Sequence, residues 1–405
     1  MKILLVNKFH YLNGGSEKYY FELGKLLKKH GNEVAYFSME DDRNIRTGDK
    51  EFFVKKIDLN YGSKLKALDV IYSKDNYKKM EEAIKEFRPD VIHFNNFQRQ
   101  LSASVVEAGW NAKIPMIFTA HDMEAVCPNK DMLYNGRICD DCITKGYMSC
   151  IKKKCIKNSK LKSILGVIEM KYYKVHSIYE KFNYIVSPSE FMKKCLLNGG
   201  VKNQNIEVIH NFSNATNCNN EINGDYIFYF GRISKEKGIF NLIGAVKKCE
   251  EVKLLIAGTG PEEEKIKKYI KENKMESRVV LLGYLNQDEI RERIEKCRFV
   301  VIPSIWYENC PYSIIETLEI GKPIIASEIG GIPEIVENEK NGLLYRYDSV
   351  DDLADKINEL YYNQEKINKM KEESKNKFKM EHTEDVYYQK IMKIYKNAIG
   401  EKNDQ

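Results

Sequence analysis

The chain has 405 residues, 43% hydrophobic and 31% charged, a composition typical of a soluble globular protein with two or three domains. Its 65 basic and 59 acidic residues give a net charge of +6, far below the basic stripe expected of a nucleic-acid-binding protein. No apolar run reaches the roughly 20 residues that a membrane span requires, and the N-terminal stretch is too short for a signal peptide. We therefore expect a cytoplasmic protein.

Short apolar runs alternate with longer helical patterns in both halves of the chain, which predicts parallel, doubly wound sheets. In the first half, strands are expected near 2–7, 33–38, 91–95, 114–119, 183–187 and 206–210, and helices near 15–30, 76–88, 99–109, 160–182 and 189–198. In the second half, strands are expected near 225–231, 252–257, 279–283, 299–303, 323–327 and 342–345, and helices near 239–249, 261–273, 287–296, 311–320, 350–362 and 383–398. The predicted fold is α/β, with two Rossmann-like domains facing each other across a cleft.

Composition also divides the chain into parts. Residues 1–210 are expected to form a first domain, with a small Cys-rich insertion at about 123–158. Residues 211–224 hold six asparagines and show no periodicity, which is typical of a linker. A second domain is expected over 225–380, and a final helix within 381–405 could pack back on the first domain.

The turns after the strands of the first domain hold candidate binding residues, because ligands of open α/β sheets bind at the carboxyl ends of the strands. Gly14 and Gly15 begin a helix, where backbone amides can approach an anion or a sugar closely; an ordinary glycine turn is the alternative. His121 and Asp122 follow a predicted strand and can bind a sugar hydroxyl or transfer a proton. A loop histidine capped by its neighbour is the alternative for this pair.

The first strand of the second domain ends in Gly231, and Arg232 and Lys237 follow beside a helix start. Two cations at this spacing can neutralise a diphosphate leaving group without a metal ion. A solvated, charged loop is the other interpretation.

Residues 302–316 combine a buried strand, a polar loop and a helix start. Glu308 and Glu316 are eight positions apart and need not act as an acid–base pair. Each can instead hold hydroxyls at opposite ends of one extended ligand, with helix-start amides directed at a phosphate between them. The alternative is that one of the two glutamates caps a helix and the other lies on the surface. The other residues of this segment expected to contact substrate are Asn309, Cys310, Pro311, Tyr312 and Ser313.

These motifs occur in order: Gly231-Arg232-x4-Lys237, Glu308-x7-Glu316, GKPIIA at 321–326 and GGIPE at 330–334. Together they resemble the large retaining glycosyltransferase family four, of GT-B fold and polysaccharide-assembly type. The likeness covers most of the chain and is strongest across 225–345. The first domain agrees through its glycine pair and its His-Asp pair.

The resemblance implies which residues bind a nucleotide-sugar donor. Glu316 is expected to bind the ribose, and Glu308 the donor-sugar hydroxyls near the reacting carbon. Arg232 and Lys237 are expected to bind the diphosphate, and Tyr284 to lie near the base.

The resemblance also implies the reaction. His121 would contact the donor sugar, and the Gly14-Gly15 loop would lie near phosphate and acceptor. The donor would be of UDP or GDP type and the acceptor a glycan or a lipid-linked oligosaccharide, with retention of configuration and no catalytic cofactor or divalent metal. One departure affects the sugar pocket: many relatives carry Gly or Pro and then Phe-Gly after the first glutamate, where this chain has NCPY at 309–312.

Two other classes of function remain open from the sequence. A nucleotide-sugar epimerase of the same fold would convert the donor without an acceptor. A sugar-nucleotide or glycan-binding protein would bind without turnover.

Five cysteines crowd into the predicted insertion: Cys127, Cys139, Cys142, Cys150 and Cys155. Disulfides are disfavoured in a reducing cytosol, so four of the five could bind a structural zinc ion or another soft metal. The spacing departs from two CxxC knuckles, and free thiols are the alternative.

Residues 152–181 are basic and rich in Tyr, Ile and Leu. A basic amphipathic helix there could rest on an anionic membrane at its inner face; a solvated helix face is the alternative.

Overall fold

The structure is a computed structural model that describes residues 1–57, 66–214 and 224–403. It divides into two compact units. The first contains Met1–Tyr134, Cys139–Ile209 and Tyr388–Gln405, and the second contains Asn135–Ile138 and His210–Tyr387. The linker predicted at 211–224 falls largely on residues 215–223, outside the described residues.

The strands up to the unit boundary are β1 (Lys2–Val6), β2 (Glu33–Met39), β3 (Lys50–Val54), β4 (Val91–Phe94), β5 (Met116–Thr119), β6 (Leu133–Tyr134), β7 (Arg137–Ile138), β8 (Tyr184–Ser187) and β9 (Ile206–Val208). Seven of them form the first unit's sheet in the order β3-β2-β1-β4-β5-β8-β9, with every pairing parallel. Central β1 is buried along nearly its whole length, because parallel strands are covered by helices on both faces.

The helices of the first unit are α1 (Gly15–Lys29), α2 (Lys74–Phe87), α3 (Ser104–Asn111), α4 (Asp141–Thr144), α5 (Met148–Lys153), α6 (Lys160–Val175) and α7 (Glu190–Asn198). Ser73, Ser159 and Ser189 precede three of them, and each hydroxyl accepts a hydrogen bond from a first-turn amide. These serine caps fix where α2, α6 and α7 begin.

The strands of the second unit are β10 (Tyr226–Phe230), β11 (Lys253–Ala257), β12 (Val279–Gly283), β13 (Val300–Ile302), β14 (Ile324–Ser327) and β15 (Gly342–Tyr345). They pair in parallel in the order β12-β11-β10-β13-β14-β15. Its helices are α8 (Ile239–Lys248), α9 (Glu263–Glu272), α10 (Gln287–Lys296), α11 (Tyr312–Ile320), α12 (Ile332–Ile335), α13 (Val350–Tyr361) and α14 (Gln364–Glu381). The two parallel sheets confirm the predicted α/β class.

Several elements differ from the sequence prediction, among them the short β6, β7, α4, α5 and α12, which were not expected. β3 and α14 were not expected, because β3 is a short edge strand and α14 is strongly polar, burying only Ile367, Met370, Ser374 and Phe378. The helix expected at 160–182 ends at Val175, and Ser177 then has a φ of 48°, which a regular helix does not allow.

The last helix, α15 (Glu384–Asn403), passes into the first unit at Tyr388. There the Tyr388 ring stacks on His30 with centroids 3.7 Å apart. The hydroxyl of Tyr395 lies 2.6 Å from Nδ1 of buried His93. Within the described residues, no helix is long and apolar enough to cross a bilayer.

Candidate functional site

The second unit has its strand-order reversal at β10, which pairs with β11 on one side and β13 on the other. Loops that leave the carboxyl ends of such neighbouring strands diverge and form a crevice. The loop after β10 contains Gly231, Arg232 and Lys237, and the loop after β13 contains Glu308. The sequence therefore placed these four candidates at the fold's expected ligand-binding edge.

Lys237 and Glu308 form a close ion pair, with Nζ 2.6 Å from Oε1. The hydroxyl of Ser304 and the indole N–H of Trp306 donate to the same oxygen, at 2.6 and 2.9 Å. The Lys237 ammonium also lies 5.4 Å from the centre of the Trp306 ring. The sequence pattern gave no sign that Ser304 and Trp306 are partners of the carboxylate.

Glu308 is 7% exposed and is held as a carboxylate. Burial raises its pKa, but the charge of Lys237 and the three hydrogen bonds outweigh burial and bring the pKa below its ordinary value. All three bonds end on Oε1. Among the described residues, Oε2 is therefore the oxygen that the protein's own side chains leave available as an acceptor.

Two glycines hold the loops around Glu308 in close contact. Gly238 has a φ of 69°, and a Cβ there would lie 1.8 Å from the carbonyl oxygen of Pro303. Gly330, after β14, has a φ of 61°, and its Cβ would lie 2.3 Å from the carbonyl oxygen of Glu308. Only glycine fits both positions, so the site's backbone depends on these two residues.

Arg232 is exposed, and its guanidinium has no hydrogen-bond or ion-pair partner among the described residues. Its backbone carbonyl accepts a hydrogen bond from the hydroxyl of Tyr229 at 2.9 Å, which fixes the turn after Gly231. The protein thus holds one anchored cation, Lys237, and one exposed cation five residues earlier.

The remaining predictions in the second unit fall in different surroundings. Glu316 lies in α11, and Oε1 accepts a bond from Gln287 at 2.9 Å. Tyr284 is 77% exposed. Cys310 is buried in the apolar core, and its sulfur accepts a bond from the backbone N–H of Asn211 at 3.2 Å.

The neighbours of Cys310 form the start of α11. Pro311 occupies the N-cap position and Tyr312 is the first helical residue. Asn309, Pro311, Tyr312 and Ser313 are partly exposed. The first backbone amides of α11 therefore follow Glu308 by only a few residues in the chain.

In the first unit, the strand order reverses at β1, which pairs with β2 and β4. Gly14 caps the start of α1 and Gly15 is its first residue, both exposed. The side-chain amide of Asn7 donates to Glu17 Oε1 at 3.3 Å and ties β1 to α1. Burial raises the pKa of Glu17.

His121 and Asp122 follow β5 at the same edge, but they do not pair with each other in the described hydrogen bonds. His121 Nε2 lies 2.8 Å from Oδ1 of Asn95, a residue that the sequence did not single out. The Asn95 amide nitrogen lies 3.3 Å from the Val6 carbonyl, which assigns Oδ1 as the acceptor and Nε2 of His121 as the donor. Asp122 accepts from the Glu124 amide at 2.9 Å and caps a 3₁₀ turn.

Burial lowers the pKa of His121 to about 3, so its ring is neutral near pH 7. The edge of the Tyr19 ring packs against it, with centroids 4.6 Å apart. For Asp122, burial and the Glu124 charge raise the pKa. A neutral imidazole suits hydrogen bonding to a hydroxyl better than neutralising a phosphate.

Family models match most of the chain. Residues 218–377 match the model described as glycosyl transferases group 1, and residues 13–216 match glycosyltransferase family 4.

Individual relatives are more distant. An uncharacterized glycosyltransferase of Methanocaldococcus jannaschii is 34% identical over 205 residues, which are 50% of this chain and 55% of that protein. An uncharacterized protein in the cps region of Klebsiella pneumoniae is 25% identical over 356 residues, covering 83% of this chain and 87% of the relative. The O-antigen chain mannosyltransferase C of Escherichia coli is 24% identical over 228 residues, covering 55% of this chain and 60% of the relative.

Solved structures share the fold. Sucrose-phosphate synthase from Thermosynechococcus elongatus has a TM-score of 0.73 at 17% identity, over 98% of this chain and 99% of that one. Anabaena HepE in complex with UDP has a TM-score of 0.71 at 17% identity, over 98% of this chain and 100% of that one. With both family models matched in order, the chain belongs to glycosyltransferase family 4, and its two α/β units are of the GT-B fold class.

Proposed function

We propose that the protein is a retaining, metal-independent glycosyltransferase that moves a sugar from a UDP- or GDP-sugar to a glycan or lipid-linked acceptor in cell-surface polysaccharide synthesis. The observation that carries the proposal is the Lys237–Glu308 pair, with exposed Arg232 nearby, at the strand-order reversal of the second unit. One anchored cation, one exposed cation and a fixed carboxylate at one edge fit a ligand with an anionic diphosphate and a hydroxyl-bearing sugar.

The proposed chemistry is leaving-group stabilisation. As the bond between the anomeric carbon and the diphosphate oxygen breaks, negative charge grows on the departing phosphate. Arg232 and Lys237 would stabilise that charge, because preorganised cations act most strongly where charge develops. The departing phosphate would then accept the proton of the acceptor hydroxyl on the same face of the sugar, which retains the configuration.

Glu308 would orient the donor sugar. Its Oε1 is occupied by Lys237, Ser304 and Trp306, so a sugar hydroxyl would donate to Oε2. The ionised carboxylate makes this a charge-assisted bond. Glu316 would bind the ribose, Tyr284 would lie near the base, and the amides at the start of α11 would contact phosphate.

The first unit would supply contacts to the sugar and the acceptor. Neutral His121, oriented by Asn95, would hydrogen-bond a hydroxyl of the donor sugar. The exposed amides of Gly14 and Gly15 would contact phosphate and acceptor.

Named relatives support the substrate classes. The Anabaena HepE structures contain UDP, UDP with glucose, or UDP-glucose, and the Staphylococcus aureus TarM structure contains UDP and a GlcNAc-glycerol. The E. coli relative is an O-antigen chain mannosyltransferase. These names favour nucleotide-sugar donors and glycan acceptors for this chain as well.

Ligand-induced stabilisation tests the donor assignment. UDP and GDP would be compared in a thermal-shift series, with nucleoside monophosphates as controls; a ligand at 100 times its Kd adds about 2.7 kcal/mol of stability. We expect a diphosphate to raise the melting temperature and Glu316→Ala to reduce that rise. Product analysis with the matching UDP- or GDP-sugars then separates transfer from epimerisation. A protein stabilised by neither diphosphate would contradict the proposal.

We further propose that α6 rests on an anionic membrane surface at its cytoplasmic face. Leu161, Ile168 and Val175 are spaced by seven residues on one side of the helix and are 79%, 45% and 78% exposed. Residues 152–181 contain nine lysines and only two glutamates, one of which, Glu169, is buried. Exposed apolar side chains with surrounding lysines match the headgroup region of anionic lipid.

Flotation with vesicles tests this surface. We expect recovery with phosphatidylglycerol-containing vesicles but not with pure phosphatidylcholine, and loss of recovery in a Leu161→Glu/Val175→Glu variant. Leu197→Glu, at an exposed position of α7, is the matched control. Equal flotation of all three proteins would contradict a role for α6.

A further inference from the structure

One part of the first unit has only a small apolar cluster of its own. This cysteine lobe, defined as residues 123–134 and 139–159, contains a 3₁₀ turn at Met123–Ala125 and the short helices α4 and α5. The cluster buries Cys150 and Ile156, together with Val167 from α6, while other buried residues of the lobe, such as Val126 and Met132, lie outside it. Structures with so small a core usually need a disulfide or a metal to hold them together.

The backbone of this region also adopts unfavourable, left-handed conformations at several residues. Five of the fourteen described non-glycine residues with positive φ lie in the lobe; they are Lys130, Met132, Lys154, Lys157 and Asn158. Left-handed backbone disfavours the folded state for residues with a Cβ, least so for asparagine. The cysteine lobe therefore combines unfavourable backbone with a small local cluster, which a bound metal ion would stabilise.

Four thiols lie in or beside this cluster. Cys142 and Cys155 are partly buried and pack against the buried Cys150, Ile156 and Val167. A Cβ at Gly166 would lie 3.6 Å from Pro128 and 2.5 Å from Ile156, so Cys127, which precedes Pro128, lies beside the same cluster. All four are free thiols that come from different turns of the chain.

We propose that Cys127, Cys142, Cys150 and Cys155 bind one structural zinc ion that joins the 3₁₀ turn, α4 and α5. Four thiolates are a typical ligand set for structural zinc. The fifth cysteine of the region, Cys139, is not part of the set: its sulfur accepts a hydrogen bond from Nζ of Lys153 at 3.2 Å.

The four sulfur atoms must move closer together before one metal ion can bind all of them. Among the described residues, the one group of three or more potential ligands within 4.8 Å of one another is His210, Glu381 and His382, so the four sulfurs are spread more widely. In a tetrahedral site with Zn–S bonds of about 2.3 Å, neighbouring sulfurs lie about 3.8 Å apart. Rotation of the cysteine side chains would have to bring the four sulfurs to this spacing, and the thiol protons would leave as the metal binds. Lysines at 152, 153 and 154 would offset the remaining negative charge.

Metal analysis of the full chain, purified without chelator, tests the site. We expect about one zinc per chain and, after exchange with Co²⁺ alone, the thiolate charge-transfer and intense d–d absorption of a tetrahedral cobalt site. Less than about half an equivalent, or an octahedral cobalt spectrum, would overturn the proposal. Native mass spectrometry distinguishes the main rival, since two disulfides among the four thiols would lower the mass by four hydrogens and leave no metal.

Variants test the choice of ligands. Cys127→Ser and Cys150→Ser should lose the metal, whereas Cys139→Ser and Cys195→Ser should keep it; Cys195 is a buried cysteine of α7 outside the lobe. Loss of metal from Cys139→Ser with retention in Cys127→Ser would overturn the proposed set. If the ligand variants fail to fold, the zinc content and cobalt spectrum of the unaltered chain still decide. Nucleotide-induced stabilisation depends on the second unit, so it tests the proposed function separately.

Discussion

The two units share a parallel-sheet design, but the polar residues at their strand ends differ in electrostatic character. In the second unit, the ionised Glu308 is paired with Lys237, and Arg232, five residues before Lys237, is exposed. In the first unit, burial shifts His121 and Glu17 toward their neutral forms.

The difference shows that strand order determines where a site lies, while loop residues and burial determine its chemistry. A diphosphate requires fixed positive charge, which the second unit provides near the surface. Sugar hydroxyls require oriented hydrogen-bond partners, which a buried, neutral histidine held by Asn95 provides. The following changes test this division, from the largest expected effect to the smallest.

Replacing Glu308 should have the largest effect. Glu308→Gln removes the acceptor charge and leaves Lys237 without its partner, so we expect kcat/KM to fall about 1000-fold. The control is Glu276→Gln, at an exposed position of the same unit, which should change kcat/KM less than twofold. Initial rates at several donor concentrations measure both. If the activity of Glu308→Gln stayed within twofold of that of the unaltered protein, the Glu308 carboxylate would not be part of the active site.

Replacing Arg232 should lower activity alone, whereas replacing Lys237 should lower both activity and stability. Arg232→Ala should lower kcat about 100-fold with an unchanged melting temperature, because the guanidinium has no partner among the described residues. Lys237→Ala should lower both, because it leaves the buried Glu308 carboxylate unpaired. Lys271→Ala, in exposed sequence of α9, is the control. A large loss of stability in Arg232→Ala would show that its role is structural.

Removing the hydrogen bond between Asn95 and His121 should have a smaller effect on activity. Asn95→Ala removes one hydrogen bond to His121, so we expect about a tenfold loss of kcat/KM, with Asn111→Ala as the exposed control. Asn95→Asp places a carboxylate beside the ring and should raise the pKa of His121 from about 3. NMR titration of the imidazole measures this pKa. An unchanged His121 pKa in Asn95→Asp would show that the two side chains do not interact.

The smallest effect is a change in the pH dependence of stability. Burial and the charge of His121 lower the pKa of His93 from 6.5 to about 3. The unfolded chain therefore binds more protons between these values, so stability is complete above about pH 6.5 and is lost as the pH falls. His93→Gln should reduce the slope by about 1 kcal/mol per pH unit near pH 5. Urea denaturation at several pH values measures the slope, and equal slopes would refute the prediction.

Much of the second unit was predictable because its signals are local. Gly231, Arg232 and Lys237 are close in sequence and follow a strand with an obvious apolar run, so their position at the strand ends could be foreseen. Their site roles remain predictions. The edge strand β3 and the polar helix α14 were missed, because their stabilising contacts come from distant parts of the chain and leave a weak periodic signal.

The sequence by itself determined the fold class and the family, because alternating apolar strands and amphipathic helices specify parallel sheets and because several motifs occur in order. Only the tertiary structure decided the partners of each polar group: Ser304 and Trp306 on Glu308, and Asn95 on His121. It also brought Cys142 and Cys155 against the cluster of Cys150. The reason is physical. Hydrogen bonds and pKa values depend on distances of a few ångströms and on burial, and both are fixed only when residues distant in sequence pack together.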